Sequence, residues 1–549
     1  MLLLCAKSFG LMRKKLSNFT LILCIGLVLN NCANRGTPTG GDKDITPPII
    51  TKSEPDNYST NFNSKEIKIY FDEYIKINDL QKQLIISPPM DPEPEITPLG
   101  SASKYITIKI HDTLLANTTY AFNFGESIVD NNEGNPYPYY RYVFSTGDYI
   151  DSLSVNGHIY DALKRVPEEF VSVMLYDVDS TFTDSIVYQQ KPKYITNTLD
   201  STTTFKLENL KAGKYLMVAL KEEKGNYTFQ QKTDKIGFYN EFITVPTDSG
   251  ATYGISLFKE EIDFRATRPK LISGNKIAFG YEGSPENMTI DLLSQVPADY
   301  ISTITKDSEK DTLNYWYQPK IEVDSLIFKV SNTNYSDTLT VKIKDQLKDS
   351  LILKPVETRA LRVTEDFKME ANIPFASIDE SKVKIIDKDS ANVTFTTALE
   401  KFKNQYKFSF NKTEENTYKM QILPGAFTDF FGNKNDTLDY NIRTKAFSSY
   451  GNVRVTLVNA TYPVIVQLVN QQGEVVEEKY ATKPEVLDFI HLDAGKLFVR
   501  AIFDTNGNKK YDSGNYLLKR QPERVSHFEL KDDVRAGWDF IEILNFTQE

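Results

Sequence analysis

Residues 66–71 read Glu-Ile-Lys-Ile-Tyr-Phe, and apolar and polar side chains alternate along most of this stretch. The same alternation occurs in Tyr-Ile-Thr-Ile-Lys-Ile at 105–110 and in Asn-Val-Arg-Val-Thr-Leu-Val at 452–458. Because successive side chains of a β-strand point to opposite faces of the sheet, this pattern predicts strands with one buried face. Asn, Asp, Gly and Pro interrupt such runs at roughly 8 to 12 positions, a spacing typical of sandwiches. The sequence therefore predicts an all-β protein.

Composition limits both the size and the partners of the protein. The chain has 549 residues, which is too long for one domain and predicts roughly three to five. It contains 64 Lys and Arg against 74 Asp and Glu, a formal net charge of −10. Because a nucleic-acid partner requires a basic patch that neutralises phosphates, this balance argues against nucleic acid.

The beginning of the chain has the pattern of a secretion signal. Arg-Lys-Lys at 13–15 precedes an apolar run over 19–29, which is too short to span a bilayer of roughly 30 Å. Leucine stands three positions before Cys32, and this ending resembles the lipobox of bacterial lipoproteins. The resemblance implies that residues 1–31 are a signal peptide and that Cys32 carries a lipid. Cleavage nearby, with Cys32 an unmodified thiol, is the alternative. Residues 32–46 are rich in Gly, Pro, Thr and Asp, which predicts a flexible tether.

One motif recurs in the two halves of the chain. Leu-Lys-Ala-Gly-Lys at 210–214 is followed by Gly-Asn at 225–226. It returns as Leu-Asp-Ala-Gly-Lys at 492–496, with Gly-Asn at the same spacing.

A second motif lies upstream of each copy of the first. Asn-Thr-Thr-Tyr at 117–120, with an Asp and then Gly-Asn at 130–135, matches Asn-Thr-Tyr at 416–418 with Asp and Gly-Asn at 429–433. In such a turn the Asp accepts backbone hydrogen bonds and the Gly supplies a positive φ, so the motif is structural.

These recurrences predict a two-domain cassette that occurs twice. A middle β segment without an evident sister separates the two copies. The predicted domains are residues 47–149, 150–256, 257–354, 355–447 and 448–549.

Two domain families resemble these units. Residues 46–147, with Thr-Pro-Pro at 46–48 and Ile-Tyr-Phe-Asp-Glu at 69–73, look like a bacterial Ig-like domain of the kind found in S-layer proteins. Residues 152–246, with Ala-Gly-Lys-Tyr at 212–215, resemble the transthyretin-like or carboxypeptidase-regulatory-like sandwich. The layout as a whole is similar to surface lipoproteins of Bacteroidota. The resemblance implies tandem Ig-like and transthyretin-like β-sandwiches, lipid-anchored at the outer membrane or cell surface.

The sequence offers no catalytic constellation. His111, His158, His491 and His527 are scattered, whereas zinc sites need two or three imidazoles at fixed spacing. Neither a Gly-x-Ser-x-Gly elbow nor a phosphate-binding Gly-rich loop occurs. We therefore expect no enzyme and no cofactor apart from the calcium ion considered below.

Aromatic side chains provide one candidate ligand site. Tyr315, Trp316 and Tyr317 are consecutive, and exposed aromatic rings could stack on a sugar or on a protein partner. The alternative is that they belong to the core and shield of a strand, where aromatic residues are common.

A candidate cation site lies near the C-terminus. Asp504, Asn506, Asn508 and Asp512, with the carbonyl of Lys510, place oxygens at alternate positions as in calcium loops. The alternative is a hairpin with Asn-Gly at its tip, which needs no ion.

The leading functional hypothesis is a non-catalytic, lipid-anchored envelope protein that acts as a spacer and interaction surface. Its expected partners are the membrane, through the anchor, and an envelope protein or a glycan. Two alternatives stay open: a polysaccharide- or peptide-binding accessory lipoprotein, and an enzyme with its site in the middle domain.

Overall fold

The computed structural model describes residues 44–198, 202–248, 250–347 and 349–546. The predicted signal peptide, Cys32 and most of the predicted tether lie outside these residues. The strands fall into five consecutive groups, and each sheet takes its strands from one group. The prediction of an all-β sandwich protein is confirmed. No helix in the described part of the chain is long and apolar enough to cross a membrane.

The first domain is a sandwich of two antiparallel sheets with strand orders β1-β2-β5-β4 and β3-β6-β8, and β7 pairs with the end of β2. The alternation of residues 66–71 is reflected in burial, since Ile67, Ile69 and Phe71 enter the core. Its strands are β1 Ile50–Glu54, β2 Glu66–Ile77, β3 Ile85–Ser87, β4 Glu95–Thr97, β5 Ser103–Lys109, β6 Thr119–Asn123, β7 Ile128–Asp130 and β8 Arg141–Ser145, and its helix is α1 Leu80–Gln83.

The second domain pairs a three-stranded sheet, β12-β9-β16, with a sheet ordered β11-β10-β13-β14 in which β15 also pairs with β13. The last strand, β16, runs parallel to the first, β9. Its elements are β9 Leu153–Asp161, β10 Ser172–Asp177, α2 Ile186–Gln189, β11 Tyr194–Asn197, β12 Thr204–Leu210, β13 Gly213–Lys221, β14 Lys235–Phe238, β15 Ile243–Val245 and β16 Thr252–Leu257.

The middle domain repeats the strand order of the first. Its sheets are β17-β19-β22-β21, with β18 also on β19, and β20-β23-β24. These orders match those of the first domain, so the expectation of a middle segment without a sister is corrected. The similarity between the middle domain and the first lies in which strands pair, and the turn motifs do not indicate this pairing. Its strands are β17 Arg265–Ala266, β18 Lys270–Ser273, β19 Lys276–Glu282, β20 Thr289–Leu292, β21 Ile301–Lys306, β22 Thr312–Gln318, β23 Ser325–Asn332 and β24 Tyr335–Lys342.

The fourth domain has the same plan again, with sheets β25-β26-β30-β29, β28-β31-β33 and β27-β32. It begins at Leu353, because β25 pairs with β26. Its elements are β25 Leu353–Pro355, β26 Phe367–Ala371, β27 Phe375–Ile378, β28 Val383–Ile386, β29 Phe395–Glu400, β30 Gln405–Phe410, β31 Thr417–Ile422, β32 Phe427–Asp429 and β33 Leu438–Arg443, with a 3-10 helix at Glu380–Lys382.

The last domain has the plan of the second. Its sheets are β37-β34-β40 and β36-β35-β38-β39, and its final strand β40 runs parallel to its first, β34. A 3-10 helix, Phe447–Ser449, precedes it. Its strands are β34 Gly451–Val458, β35 Val464–Val469, β36 Val475–Ala481, β37 Val486–Leu492, β38 Phe498–Phe503, β39 Val525–Glu529 and β40 Asp539–Asn545.

The Asp and Gly-Asn motifs form the predicted turns. The carboxylate of Asp130 accepts hydrogen bonds from four successive backbone N–H groups, those of residues 132–135. Asp429 accepts from the N–H groups of residues 431 and 433. Gly134 and Gly432 have φ values of 80° and 85°, which a glycine adopts without strain.

Candidate functional site

The aromatic segment of β22 is buried. Tyr315, Trp316 and Tyr317 are 4%, 2% and 1% exposed, so no ring presents a face on which a sugar could stack. Their position therefore agrees with the alternative interpretation, in which these residues belong to the core and shield of a strand. Tyr315 shares a hydrogen bond of 2.8 Å with the hydroxyl of Tyr300, and Trp316 donates from Nε1 to Oγ1 of Thr305 at 3.0 Å.

Trp316 belongs to a junction between domains. Its ring meets Phe431 of the fourth domain edge-on, with centroids 6.2 Å apart. Nearby, the side chain of Gln318 donates to the carbonyl of Phe430 at 2.7 Å. This part of β22 thus attaches the middle domain to the fourth.

The candidate calcium residues lie together in the loop 504–524 between β38 and β39. Asp504 is fully buried, and its carboxylate accepts backbone hydrogen bonds from residues 507, 508 and 509. Burial alone would raise the pKa of Asp504, but these N–H donors, that of Lys509 foremost, lower it below its usual value. The amides of Asn506 and Asn508 both donate to Oδ2 of Asp512, at 2.5 and 2.8 Å.

These hydrogen bonds all lie within the loop and hold it closed. The side chains of Lys509 and Lys510 contact groups other than the candidate calcium ligands. Lys509 lies over the ring of Tyr480, and Lys510 pairs with Glu286 of the middle domain. The described residues contain no cluster of three or more His, Cys, Asp or Glu that could hold a metal ion. The connection differs from the tight hairpin expected at Asn-Gly, because it runs over residues 504–524 and Asn506 lies near its start.

A residue that the sequence did not single out closes the base of this loop. Glu523 is buried, and its carboxylate accepts from the backbone N–H of Thr505 at 2.7 Å and from that of Asp512 at 3.1 Å. The far part of the loop is thereby held in a defined position.

That far part packs on the second domain. Tyr516 is fully buried in an aromatic cluster of that domain, 5.5 Å from Phe238 and 6.4 Å from Tyr188 between ring centroids. Its backbone N–H donates to Oε1 of Glu260 at 2.5 Å. Gly514 lies flat on Phe258, since a Cβ there would stand 2.5 Å from the ring.

Polar contacts surround this insertion. The side chain of Gln521 donates to the carbonyl of Phe238 at 2.9 Å and to the amide oxygen of Asn240 at 2.7 Å. Lys519 forms an ion pair of 2.6 Å with Asp184. We call residues 511–521 the docking loop.

A turn of the second domain reaches back to the last domain. The guanidinium of Arg165 lies 4.0 Å over the ring of Phe498. Beside it, both ring nitrogens of His527 are buried. Burial, and then the positive charges of Arg500 and Arg165, lower the pKa of His527 to about 4. The histidine is therefore neutral at pH 7.

Contacts between domains form a closed circuit. The second domain contacts the middle one, the middle the fourth, the fourth the last, and the docking loop returns to the second. One contact at each junction is Lys232 to Glu282, Gln318 to Phe430, Lys445 to Asp493, and Lys519 to Asp184. The loop that closes the circuit, residues 504–524, is longer than the corresponding loop of the second domain, residues 222–234.

The last domain also exposes an apolar sheet face on its other side. On the outer strands β40 and β37, Ile541, Ile543, Val486 and Ile490 are 64%, 63%, 53% and 46% exposed. Val458 at the end of the central strand is 38% exposed. We call these five side chains the apolar face.

The corresponding sheet of the second domain, β12-β9-β16, lacks this face, and we call it the sister sheet. The registers of the two sheets and the shared Ala-Gly motif place Thr252 and Gly254 where the last domain has Ile541 and Ile543. They place Thr204 and Glu208 where it has Val486 and Ile490, and Tyr160, which is 49% exposed, where it has Val458. None of the five positions therefore carries an aliphatic side chain in the second domain. The apolar face is therefore a property of this copy rather than of the fold.

Comparison with known proteins identifies one part of the chain. Residues 44–146 match a family model described as a bacterial Ig-like domain. No curated protein matches the sequence.

Among solved structures, domains 1–6 of the surface layer protein SbsC are 12% identical, with 89% of this chain and 67% of that chain covered and a TM-score of 0.16. The Bacillus anthracis TIE protein is 12% identical, with 93% and 76% covered and a TM-score of 0.15. The titin I-band fragment I67-I69 is 12% identical, with 56% and 100% covered and a TM-score of 0.13. The family match makes the first domain similar to bacterial Ig-like domains.

Proposed function

We propose that the protein is a non-catalytic, lipid-anchored protein of the cell envelope, in which a closed body of sandwich domains presents an interaction surface. The observation that carries the proposal is the apolar face of the last domain. Several exposed aliphatic side chains on one face of a sheet are unusual on a soluble monomer, and exposed apolar surface of this kind marks sites of contact with other molecules. The polar sister sheet supports this, because the same fold does without exposed isoleucines at those positions.

The closed circuit of contacts supports the role of a spacer. A string of sandwiches joined only by linkers would move at each junction. Here the docking loop fixes the last domain on the second, so the apolar face is presented on a body that moves as one unit. The tether predicted at residues 32–46 would place that body away from the membrane.

The anchor is tested with Cys32→Ser in the full-length chain. We expect the wild type to partition into the detergent phase and the variant into the aqueous phase, since the variant lacks the thiol that would carry the lipid. Cys24→Ser is the matched control, because this residue lies in the segment expected to be removed. Full membrane association of the Cys32→Ser protein would overturn the anchor.

The interaction surface is tested by a photo-crosslinking amino acid at position 541, in cells that make the protein. We expect a discrete adduct from position 541 and none from position 252, the corresponding position of the sister sheet. Equal labelling from the two positions, or none from either, would overturn the proposal that the face binds a partner.

A further inference from the structure

We infer that the apolar face docks on the same face of a second copy of this chain. The inference deepens the proposed function, on which it rests, by naming the partner. Four of the five apolar side chains lie on the two strands that flank the central strand, and the fifth, Val458, lies at its end. The other outward side chains of the central strand, the half-buried Asn452 and Thr456 and the exposed Arg454, are polar. The face is therefore apolar along both margins and polar along its middle, and a partner must match both features.

The charges of the face are satisfied within it. Arg454 forms a bidentate ion pair with Asp488, with Nε to Oδ1 at 2.6 Å and Nη2 to Oδ2 at 2.9 Å. Asn452 donates to Oδ1 of Asp539 at 2.8 Å. A strongly charged protein or an anionic lipid surface would meet no complementary cluster of charge here. A surface of the same nearly neutral composition fits, and the face of a second copy is such a surface.

The strand edge beside the face is protected against strand addition. Glu542 of β40 points inward and is 4% exposed, and its carboxylate accepts from the backbone N–H of Lys531 at 3.1 Å. Inward charged residues are a means by which edge strands resist pairing with another chain. A sheet continued from β40 into a second copy is therefore disfavoured, and we expect the contact on the sheet face.

The exposed area suits a weak dimer. Five aliphatic side chains exposed by 38–64% offer several hundred Å². Two copies would bury about 1,000 Å² in total, the lower limit of specific interfaces, so we expect a dissociation constant of about 1–100 μM.

The position of the face leaves the closed body intact in such a dimer. The docking loop and His527 lie on the side of the sheet β36-β35-β38-β39, which meets the second domain. The apolar face belongs to the opposite sheet, β37-β34-β40. Two copies can thus associate without releasing the docking loop, and a two-fold axis makes the contact self-complementary.

The test is sedimentation equilibrium of the mature chain with Cys32→Ser, which removes the lipid, from 1 to 100 μM. We expect the weight-average mass to rise with concentration over this range, from nearer that of a monomer towards that of a dimer. The double variant Ile541→Lys with Ile543→Lys should stay monomeric over this range. Thr204→Lys with Thr252→Lys, which adds the same charges to the sister sheet, should dimerise like the wild type.

Three results would overturn the inference: a wild type that is monomeric at 100 μM, a lysine double variant that still dimerises, or an assembly larger than a dimer. If the lysine variant loses its cooperative melting transition, Ile541→Thr with Ile543→Thr replaces it, with at least tenfold weaker association expected. The protein could also be monomeric in solution and still give an adduct from position 541 whose mass is not twice that of the chain. That result would refute a second copy as the partner, but it would not refute the proposed interaction surface.

Discussion

Tyr516→Ala should release the docking loop from the second domain. The ring is fully buried between Phe238 and Tyr188, and its hydroxyl has no hydrogen-bond partner among the described residues. Truncating a buried aromatic side chain typically costs about 3–5 kcal/mol. Water can enter a gap between domains more easily than a cavity in a core, so we take the lower limit, about 3 kcal/mol. This corresponds to a roughly hundredfold rise in the open population.

Limited trypsin digestion measures that population. Lys519 and Arg520 lie in the docking loop, and cleavage after either requires the loop to leave the second domain. When opening and closing are fast compared with cleavage, the cleavage rate follows the open population. We therefore expect cleavage in this loop to accelerate about a hundredfold in Tyr516→Ala, in line with the estimated 3 kcal/mol.

Two controls separate docking from general destabilisation. Tyr516→Phe keeps the ring and removes only the unpartnered hydroxyl, so its cleavage rate should equal that of the wild type. Tyr149→Ala removes an aromatic ring that is 59% exposed and should also leave the rate unchanged. Wild-type cleavage kinetics in Tyr516→Ala would refute the reasoning that this ring holds the domains together.

Other predictions concern the same pair of domains. Gly514→Ala should accelerate trypsin cleavage of the docking loop, because the added Cβ would stand 2.5 Å from the ring of Phe258; an unchanged rate would mean that the loop does not lie on that ring. Acidification should also release the loop. The pKa of His527 is about 4 in the folded chain, below its ordinary value of 6.5. The stability that the neutral histidine confers is therefore full above pH 6.5 and is lost as the pH falls through 4. Cleavage by an acid-active protease should therefore rise between pH 6.5 and 4 in the wild type, and His527→Gln should flatten that rise; an equal rise in both would assign it to other groups. Asp504→Asn should lower the melting temperature, because the neutral amide oxygen is a weaker acceptor for three backbone N–H groups, with a loss of about 1–3 kcal/mol. We expect that loss to be the same with and without millimolar calcium, and a calcium-dependent rise in the wild-type melting temperature alone would instead assign the loop to the cation.

Local patterns predicted the local structure. The alternation at 66–71 and 452–458 became β2 and β34 because side-chain direction in a strand depends only on sequence parity. The turn at Asp130 was predictable because an aspartate and a glycine a few residues apart suffice to form it.

Distant contacts were not predictable from the same patterns. The kinship of the middle domain with the first lies in which strands pair, and no motif marks that pairing. The sequence left Trp316 open to two interpretations, an exposed platform and the core or shield of a strand. The junction with the fourth domain was not predicted, because Phe431, which contacts the ring, is remote in sequence. The contact of the docking loop with the second domain was not predictable for the same reason, since Tyr516 and its acceptor Glu260 are 256 positions apart.

That separation has a consequence for how the chain is made. Domains generally fold as they are synthesised, N-terminal first, at roughly 5–20 residues per second. The aromatic cluster around Phe238 and Tyr188 is complete only when Tyr516 arrives, and the 256 positions between Glu260 and Tyr516 take about 13–50 s at that rate. During this interval the second domain is folded but leaves its aromatic cluster open to any passing apolar segment. We therefore expect a newly made chain to be most prone to aggregation during this interval, before Tyr516 covers the cluster.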